Sequence, residues 1–559
     1  MNRRLTVAFV CLMGFFALVA GRLVQLQIVE ADQWRELAKR FQEGTVTIPA
    51  PRGRIYDRNG VLLAQDVRAI SVALDNYTMT RPDVLEELLV KHLEIPRATA
   101  REKLYRPGYF TWIARAIPPE RAEALEKAAR AAGARGLIFF EDRARQYPHG
   151  DLASNVIGFT GVDGHGLEGI ELFFDAELHG TESVWSFVRM ADGTQIERRQ
   201  IQAGQAGRDL TLTLDSRIQY IAESAITRGV RTYRAKAGIA LVLDPWTGEV
   251  LAMAQDKRYD LNHFQASRPE QRQNLAVVWP FEPGSSFKIF TMLAALENNV
   301  VALDERLSGS ATYQIANHTF RNADGKEYGM VTPKDVIRNS INTAMIRIAQ
   351  RIGEARLYEA LRKYGFGQKT GIELPGEVPG YLPPVESWSV LEIGSIAIGQ
   401  SLSVTAVQLA SRVAMIAAGG KRIRPTIVKA LTPMSLSRSS GRESDGEGFM
   451  VSSLSCQRLT EMMVETVRSG TGVLAQIAGY SIAAKTGTAQ KALPGQGYVK
   501  GKYVASFEGF FPAEAPKYLI LVVLDEPGGR EYYGSETAAP IFKEIAQQLI
   551  ALDRIPPRP

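Results

Sequence analysis

Residues Leu5 to Gly21, LTVAFVCLMGFFALVAG, form an uncharged apolar run directly behind Arg3 and Arg4. At a rise of 1.5 Å per residue such a helix nearly crosses the hydrocarbon core of a bilayer, and Leu23, Val24, Leu26 and Ile28 extend it past Arg22. Arginines before the run and one after it set the amino terminus inside and the body outside. A cleaved signal peptide is the competing reading, but Leu18 with Ala20 is a poor small-residue cleavage pattern. The expectation is therefore an uncleaved, single-pass anchor carrying an exported body. The four residues ahead of Leu5 predict no cytoplasmic output domain.

At 559 residues the chain is too long for one ordinary domain, so two or three are expected. Its 66 Lys and Arg against 60 Asp and Glu leave a charge of +6, too slight to require nucleic acid. Of two cysteines, Cys11 lies inside the apolar run and leaves Cys456 without a partner in the body. A Cys-rich zinc module and a disulfide framework are both excluded.

The body changes character near Gly207. Before it, Arg- and Glu-rich sequence alternates short strands such as Ala69–Leu74 with helices such as Pro119–Ala132. From Asp209 the sequence reads as one large α/β domain. Gly238–Leu243 and Glu249–Ala254 form a hairpin around Asp244-Pro245-Trp246-Thr247-Gly248, and Tyr503–Phe511 pairs with Tyr518–Leu524 around Pro512 and Pro516. Between them lie the helical patterns Ser286–Glu297, Pro333–Ile352 and Thr405–Ala417. Strands at both ends with helices between predict an antiparallel sheet assembled from distant parts of the chain. Ser435–Gly448, rich in Ser, Gly and charge, is expected to be a loop without chemistry.

The six histidines are scattered, and neither H-E-x-x-H nor G-x-S-x-G occurs. Gly164-x-Gly166-x-x-Gly169 spells a dinucleotide fingerprint but lacks the flanking strand and helix, so its glycines are expected to serve turns. Ser285-Ser286-Phe287-Lys288 is different. It is the one S-x-x-K in the chain and follows Pro283-Gly284 at a helix start. Serine at i and lysine at i+3 share a helix face within hydrogen-bonding reach. A lysine whose proton affinity burial has depressed can then activate the serine without histidine.

Ser340-Ile341-Asn342 offers a hydroxyl to relay a proton and an amide to hold a substrate carbonyl. Lys485-Thr486-Gly487-Thr488 reads as a strand whose lysine and threonine hydroxyls can bind a carboxylate, with Gly487 allowing a peptide close to the backbone. Lys369-Thr370-Gly371 repeats the triplet, but between Gly365-Phe366-Gly367 and Glu373-Leu374-Pro375-Gly376 it reads as a loop, so the Lys485 copy is assigned to the site.

S-x-x-K, S-x-N and K-T-G-T in this order resemble the penicillin-interacting transpeptidase domain. Phe281-Glu282-Pro283-Gly284-Ser285-Ser286-Phe287-Lys288 resembles its nucleophile segment, and Gly399-Gln400-Ser401-Leu402-Ser403-Val404-Thr405 a further segment. Pro51 to Gly60 (PRGRIYDRNG) is similar to the pedestal signature of class B penicillin-binding proteins, as are Gly169-Ile170-Glu171 and Phe174-Asp175. The resemblance spans nearly the whole chain.

It implies an α+β fold. Residues 1–28 would be cytoplasmic tip and anchor, and 29–207 an elongated mixed α/β pedestal of the dimerisation type. Residues 208–559 would be the transpeptidase domain, a five-stranded antiparallel sheet with helices on both faces and an all-helical subdomain. The implied activity is a monofunctional peptidoglycan D,D-transpeptidase of the inner (cytoplasmic) membrane, without metal or organic cofactor. Ser285 would attack the penultimate D-Ala carbonyl of a stem peptide and Lys288 take its proton. Ser340, aided by Lys485, would protonate the leaving amine. Asn342 would hold the donor amide, and Thr486 and Thr488 the terminal carboxylate. Backbone N–H groups of Ser285 and Thr488 would form the oxyanion hole. β-Lactams would acylate Ser285.

The signatures resemble the cell-division type more than the elongation type, which implies a membrane-embedded glycosyltransferase and divisome proteins as partners. A D,D-carboxypeptidase would use the same residues. A serine β-lactamase fits the long pedestal poorly, and a non-catalytic scaffold or sensor is the rival of another class.

Overall fold

The computed structural model of the chain describes residues 3–34, 36, 43–189, 195–432, 448–493, 495, 497–529 and 531–557. Apart from Gly448, the expected loop Ser435–Gly448 lies outside them. The chain divides into two compact units, Met1–Arg52 with His179–Gly207, and Gly53–Leu178 with Arg208–Pro559.

In the first unit, helix Arg3–Val24 continues through a wider turn at Gln25–Val29. It is apolar all round and no residue of Arg3–Val24 is buried by protein, as expected for a segment whose solvent is lipid. Among the described residues it is the one helix long and apolar enough to cross a membrane. The same unit holds a three-stranded antiparallel sheet in the order Glu43–Ile48, Ser183–Arg189, Gln195–Gln202.

The second unit contains two larger sheets. One runs Val428–Thr432, Asp209–Leu212, Ile55–Tyr56, Leu62–Asp75, Phe110–Ile117, with Leu137–Gln146 also paired to Leu62–Asp75. It joins residues on both sides of the change in sequence character at Gly207, through the parallel pair Ile55↔Leu210 and Tyr56↔Thr211. This pairing explains the motif around Gly53. A Cβ on Gly53 would meet the Arg208 carbonyl oxygen at 1.9 Å. Arg54 N donates to Asp209 Oδ1 at 2.7 Å. Buried Asp57 accepts from Asn59 N and Val61 N, both at 2.8 Å, and from Ser216 N at 3.1 Å. Gly164 and Gly169 have positive φ and only the five-residue helix Gly169–Phe173 follows, so these glycines serve turns.

The other sheet is antiparallel throughout, in the order Val250–Gln255, Ala237–Leu243, Tyr518–Asp525, Gly497–Phe511, Ala483–Leu493. Alternation buries both faces. Ile239, Leu241 and Leu243 enter one core together with helices Lys288–Glu297 and Ala406–Ala417. Ala240, Val242 and Val522 enter a second core with helices Ser216–Thr232 and Ala538–Asp553. The hairpins expected at both ends of the domain are present, so the sheet is built from segments more than 200 residues apart.

Two helical expectations are refined. The segment Ser286–Glu297 begins as a 3₁₀ turn, Gly284–Phe287, before the α-helix Lys288–Glu297. The pattern Pro333–Ile352 is two helices, Pro333–Arg338 and Asn342–Ile352, broken at Ser340, whose φ is +59°. Two short hairpins, Leu307–Ser308 with Met330–Val331 and Thr312–Ile315 with His318–Arg321, stand among the helices.

Candidate active site

The turn carrying Ser285 is clamped from two sides. Gly284 N donates to Gly399 O at 2.9 Å. A Cβ on Gly399 would lie 2.0 Å from Gly284 O, and one on Gly284 2.6 Å from Thr488 O. Contacts this close require glycine at both positions. Behind the turn, Phe287 and Phe290 pack on Phe366 at centroid separations of 4.8 and 4.9 Å. Ser285 itself is partly exposed, whereas Ser286, Phe287 and Lys288 are buried.

Lys288 Nζ donates to Ser340 O at 2.6 Å, Asn342 Oδ1 at 2.6 Å and Ser340 Oγ at 3.1 Å. The Ser285 hydroxyl expected as its partner is not among these acceptors, because the break at Ser340 presents a carbonyl, a hydroxyl and an amide to the same ammonium. Ser340 pays for that with a left-handed backbone, which costs a non-glycine residue about 1 kcal/mol or more. Asn342 opens its helix and is fixed by donating Nδ2 to Arg321 O at 2.8 Å.

Lys485 reaches the same hydroxyl from the sheet. Its Nζ donates to Ser340 Oγ at 3.0 Å and to Thr486 O at 2.9 Å. Two wholly buried lysine side chains therefore share one serine hydroxyl. Burial, reinforced by the Lys485 charge, holds Lys288 well below the ordinary lysine range. Burial also lowers Lys485, opposed by the field of Glu508.

Thr486 Oγ1 lies 2.8 Å from Thr471 Oγ1, and Thr488 Oγ1 accepts from Gly534 N at 3.0 Å. Gly487 is required by the protein's own packing, since a Cβ there would sit 2.2 Å from Ser506 Oγ and 2.3 Å from Ser286 Oγ. The close approach expected of a peptide at Gly487 is made on this side by the nucleophile turn. The second K-T-G is elsewhere in kind: Lys369 is exposed, and Thr370 and Gly371 donate their N–H groups to Glu377. Ser285, Lys288, Ser340, Asn342 and Lys485 to Thr488 thus stand on three segments brought together by the sheet edge and two helix starts.

Residues 238–547 match the penicillin binding protein transpeptidase domain model, and residues 47–212 the penicillin-binding protein dimerisation domain model. The chain belongs to the class B penicillin-binding proteins. It is 32% identical over 551 residues to a probable peptidoglycan D,D-transpeptidase PenA of Neisseria meningitidis, covering 97% of this chain and 92% of that protein. It is 30% identical over 556 residues to the peptidoglycan D,D-transpeptidase FtsI of Escherichia coli, covering 98% and 91%. Among solved structures, penicillin-binding protein 3 of Mycobacterium tuberculosis complexed with aztreonam shares 31% identity at a TM-score of 0.70, covering 92% of this chain and 98% of that one.

As a class B penicillin-binding protein the chain carries the family's motif order, but the structure adds groups that motif reading missed. Ser286, Ser506 and Glu508 form a buried polar cluster under the nucleophile turn. Glu508 had a sequence signal, an acidic residue in the middle of the apolar strand Val504-Ala-Ser-Phe-Glu-Gly-Phe-Phe511. Thr471 and Gly534 had none.

Proposed function

We propose that this chain is a serine-type peptidoglycan D,D-transpeptidase that cross-links stem peptides through an acyl-serine at Ser285 and is blocked there by β-lactams. One observation carries the reading: the hydroxyl of Ser340 lies within 3.1 Å of two buried lysines, beside the turn that exposes Ser285. A neutral Lys288 takes the Ser285 proton as Oγ bonds to the penultimate D-Ala carbonyl carbon. The C–N bond to the terminal D-Ala then breaks, and Ser340, supported by Lys485, passes a proton to the departing amine. An amine from a neighbouring stem attacks the ester, forms the new amide and returns the proton to Ser285.

Asn342 holds the donor amide, and Lys485, Thr486 and Thr488 receive the terminal carboxylate. The strand Ala483–Leu493 is an edge of its sheet, which leaves alternate N–H groups free for a substrate strand. That position supports Thr488 N–H, with Ser285 N–H, as the oxyanion hole, each donor worth about 10²–10³ in rate.

The reading extends to the whole chain. Residues 1–28 serve as the anchor in the inner (cytoplasmic) membrane with the amino terminus inside, 29–207 as pedestal and 208–559 as the external transpeptidase domain. Division-type signatures support a septal role with a membrane-embedded glycosyltransferase and divisome proteins as partners. The test is covalent labelling by a reporter-tagged penicillin, followed by intact mass. A stable one-to-one adduct on wild type that is absent in Ser285→Ala is expected. An adduct that turns over rapidly would indicate a β-lactamase, and no adduct on folded protein would leave a scaffold.

A further inference from the structure

Beneath the nucleophile turn lies a carboxyl that the chemistry above does not use. On the strand Gly497–Phe511, Ser506 and Glu508 share one face, and in register they oppose Gly487 and Lys485. Ser286 fills the space over Gly487, donating to Glu508 Oε2 at 2.7 Å and lying 2.9 Å from Ser506 Oγ. Glu508 is wholly buried, and among the described residues its Oε1 has no hydrogen-bond partner. A half-satisfied carboxyl in a core is costly, and an apolar residue would serve the strand better. It bonds to the neighbour of Ser285 and, in register across the strand pair, stands opposite Lys485.

We propose that Glu508 is a positioning residue for acylation: through Ser286 it holds the nucleophile turn on the sheet, and as a carboxylate opposite Lys485 across the strand pair it favours the charged form of that lysine. The proposal rests on the transpeptidase reading of this site. Lys485 is the charged group whose field reaches Glu508. Its other neighbours, Ser286, Ser506 and Leu521 in register on the next strand, carry no charge. Lys288 takes its field from Lys485 and Asp324. Burial raises the Glu508 carboxyl and lowers the Lys485 ammonium, and each charge opposes the other's shift. When rising pH ionises Glu508, the carboxylate favours the ammonium of Lys485. With a neutral residue at 508, Lys485 loses its proton at lower pH.

The experiment is the pH profile of acylation by a fluorescent penicillin, for full-length wild type, Glu508→Gln and Glu508→Asp. Gln keeps an acceptor for Ser286 but no charge, so its alkaline limb should move to lower pH. At pH 9, relative to each protein's own rate at pH 7, Gln should fall about tenfold below wild type, the effect of one unit in the Lys485 pKa. Asp should retain most of the limb. Independently of any variant, difference infrared spectroscopy of the wild type should show a protonated buried carboxyl that ionises at lower pH than the midpoint of that limb, since the carboxylate must form first to hold the Lys485 proton. Superimposable Gln and wild-type profiles, or a carboxyl band that persists through the limb, overturn the proposal and leave the acyl-serine reading standing. A wild type that is never acylated overturns both.

Discussion

Lys288 contacts Ser340 twice, through the backbone oxygen at 2.6 Å and through the hydroxyl at 3.1 Å. With Asn342 Oδ1 as the third partner, a charged ammonium has one acceptor for each N–H. A neutral amine has two N–H groups and a lone pair. The carbonyl of Ser340 can only accept, and the Asn342 amide is oriented by its bond to Arg321 O. The Ser340 hydroxyl is therefore the partner that reverses, donating to Lys288 when the lysine is neutral. Acylation should rise with pH through a midpoint below the ordinary lysine range, as the depressed Lys288 deprotonates. Lys288→Ala and Lys288→Arg should both lose about 10²–10⁴ in acylation rate and the rising limb with it. Stopped-flow penicillin acylation across pH measures this, and an Arg variant of near wild-type rate would remove the base role.

Ser340 separates chemistry from strain. Its φ of +59° suits glycine, and its hydroxyl serves both lysines. Ser340→Ala and Ser340→Gly should lose acylation alike. In stability they should part, with Gly about 1 kcal/mol above Ala because the left-handed backbone is then unstrained. Urea midpoints of the two variants decide it, and equal midpoints would mean that the helix break relaxes without the serine.

Gly487→Ala should destabilise the transpeptidase half by about 1–3 kcal/mol through overpacking, since its Cβ would meet Ser506 Oγ and Ser286 Oγ within 2.3 Å. Ser506→Ala in the same protein should return part of that loss, a coupling that a double-mutant thermal-melt cycle reads directly. Strictly additive effects would show that the strand shifts as a body.

The elements that periodicity governs were legible. The Gly238–Leu243 hairpin, the Tyr503–Phe511 pair and the Thr405–Ala417 helix follow from local pattern and turn residues. The helix break was not, because Val336, Ile337, Ile341, Met345 and Ile348 carry an apolar pattern straight through it. What bends the chain there is the demand of a distant lysine. The motif around Asp57 was recognisable, yet its partners Asp209 and Ser216 lie more than 150 residues on, beyond the reach of any local rule. Likewise Val428–Thr432 reads as nothing by itself and is a strand because Asp209–Leu212 offers it an edge. Of the site, residues with motif chemistry were visible, and Ser506, Thr471 and Gly534, which act by bonding to them from outside the motifs, were not.

Away from the site, Arg145 is buried with Glu171 at 2.7 Å and Asp66 at 3.1 Å, and donates to Gly53 O at 2.8 Å. Glu171→Ala removes the wholly buried carboxylate and leaves the guanidinium in the core half-compensated. It should cost about 3–5 kcal/mol by denaturant unfolding. Penicillin acylation of the protein that remains folded should stay at the wild-type rate. A parallel loss of acylation per folded molecule would show that the Arg145 cluster also shapes the site.

Glu282 makes stability depend on pH in a defined direction. Its Oε1 accepts from Ser401 N at 3.0 Å and Tyr498 Oη at 3.1 Å, tying the nucleophile segment to the Gly399–Ser401 loop and to the hairpin strand. Oε2 has no partner among the described residues. Burial dominates those two bonds and pushes the carboxyl up to about 7. The folded state therefore holds a proton that the unfolded chain releases near the ordinary glutamate value, about 4.3. Between those two values the folded form binds more protons, so stability falls as pH rises and levels off above about 7. Each tenfold difference in proton affinity corresponds to about 1.4 kcal/mol. Glu282→Gln keeps an acceptor for Tyr498 and Ser401 without the charge. Its Tm should match wild type near pH 4.5 and exceed it at pH 8, while the wild type alone declines across the interval. Parallel Tm curves for the two proteins would mean that the Glu282 carboxyl ionises in the folded state as readily as in water.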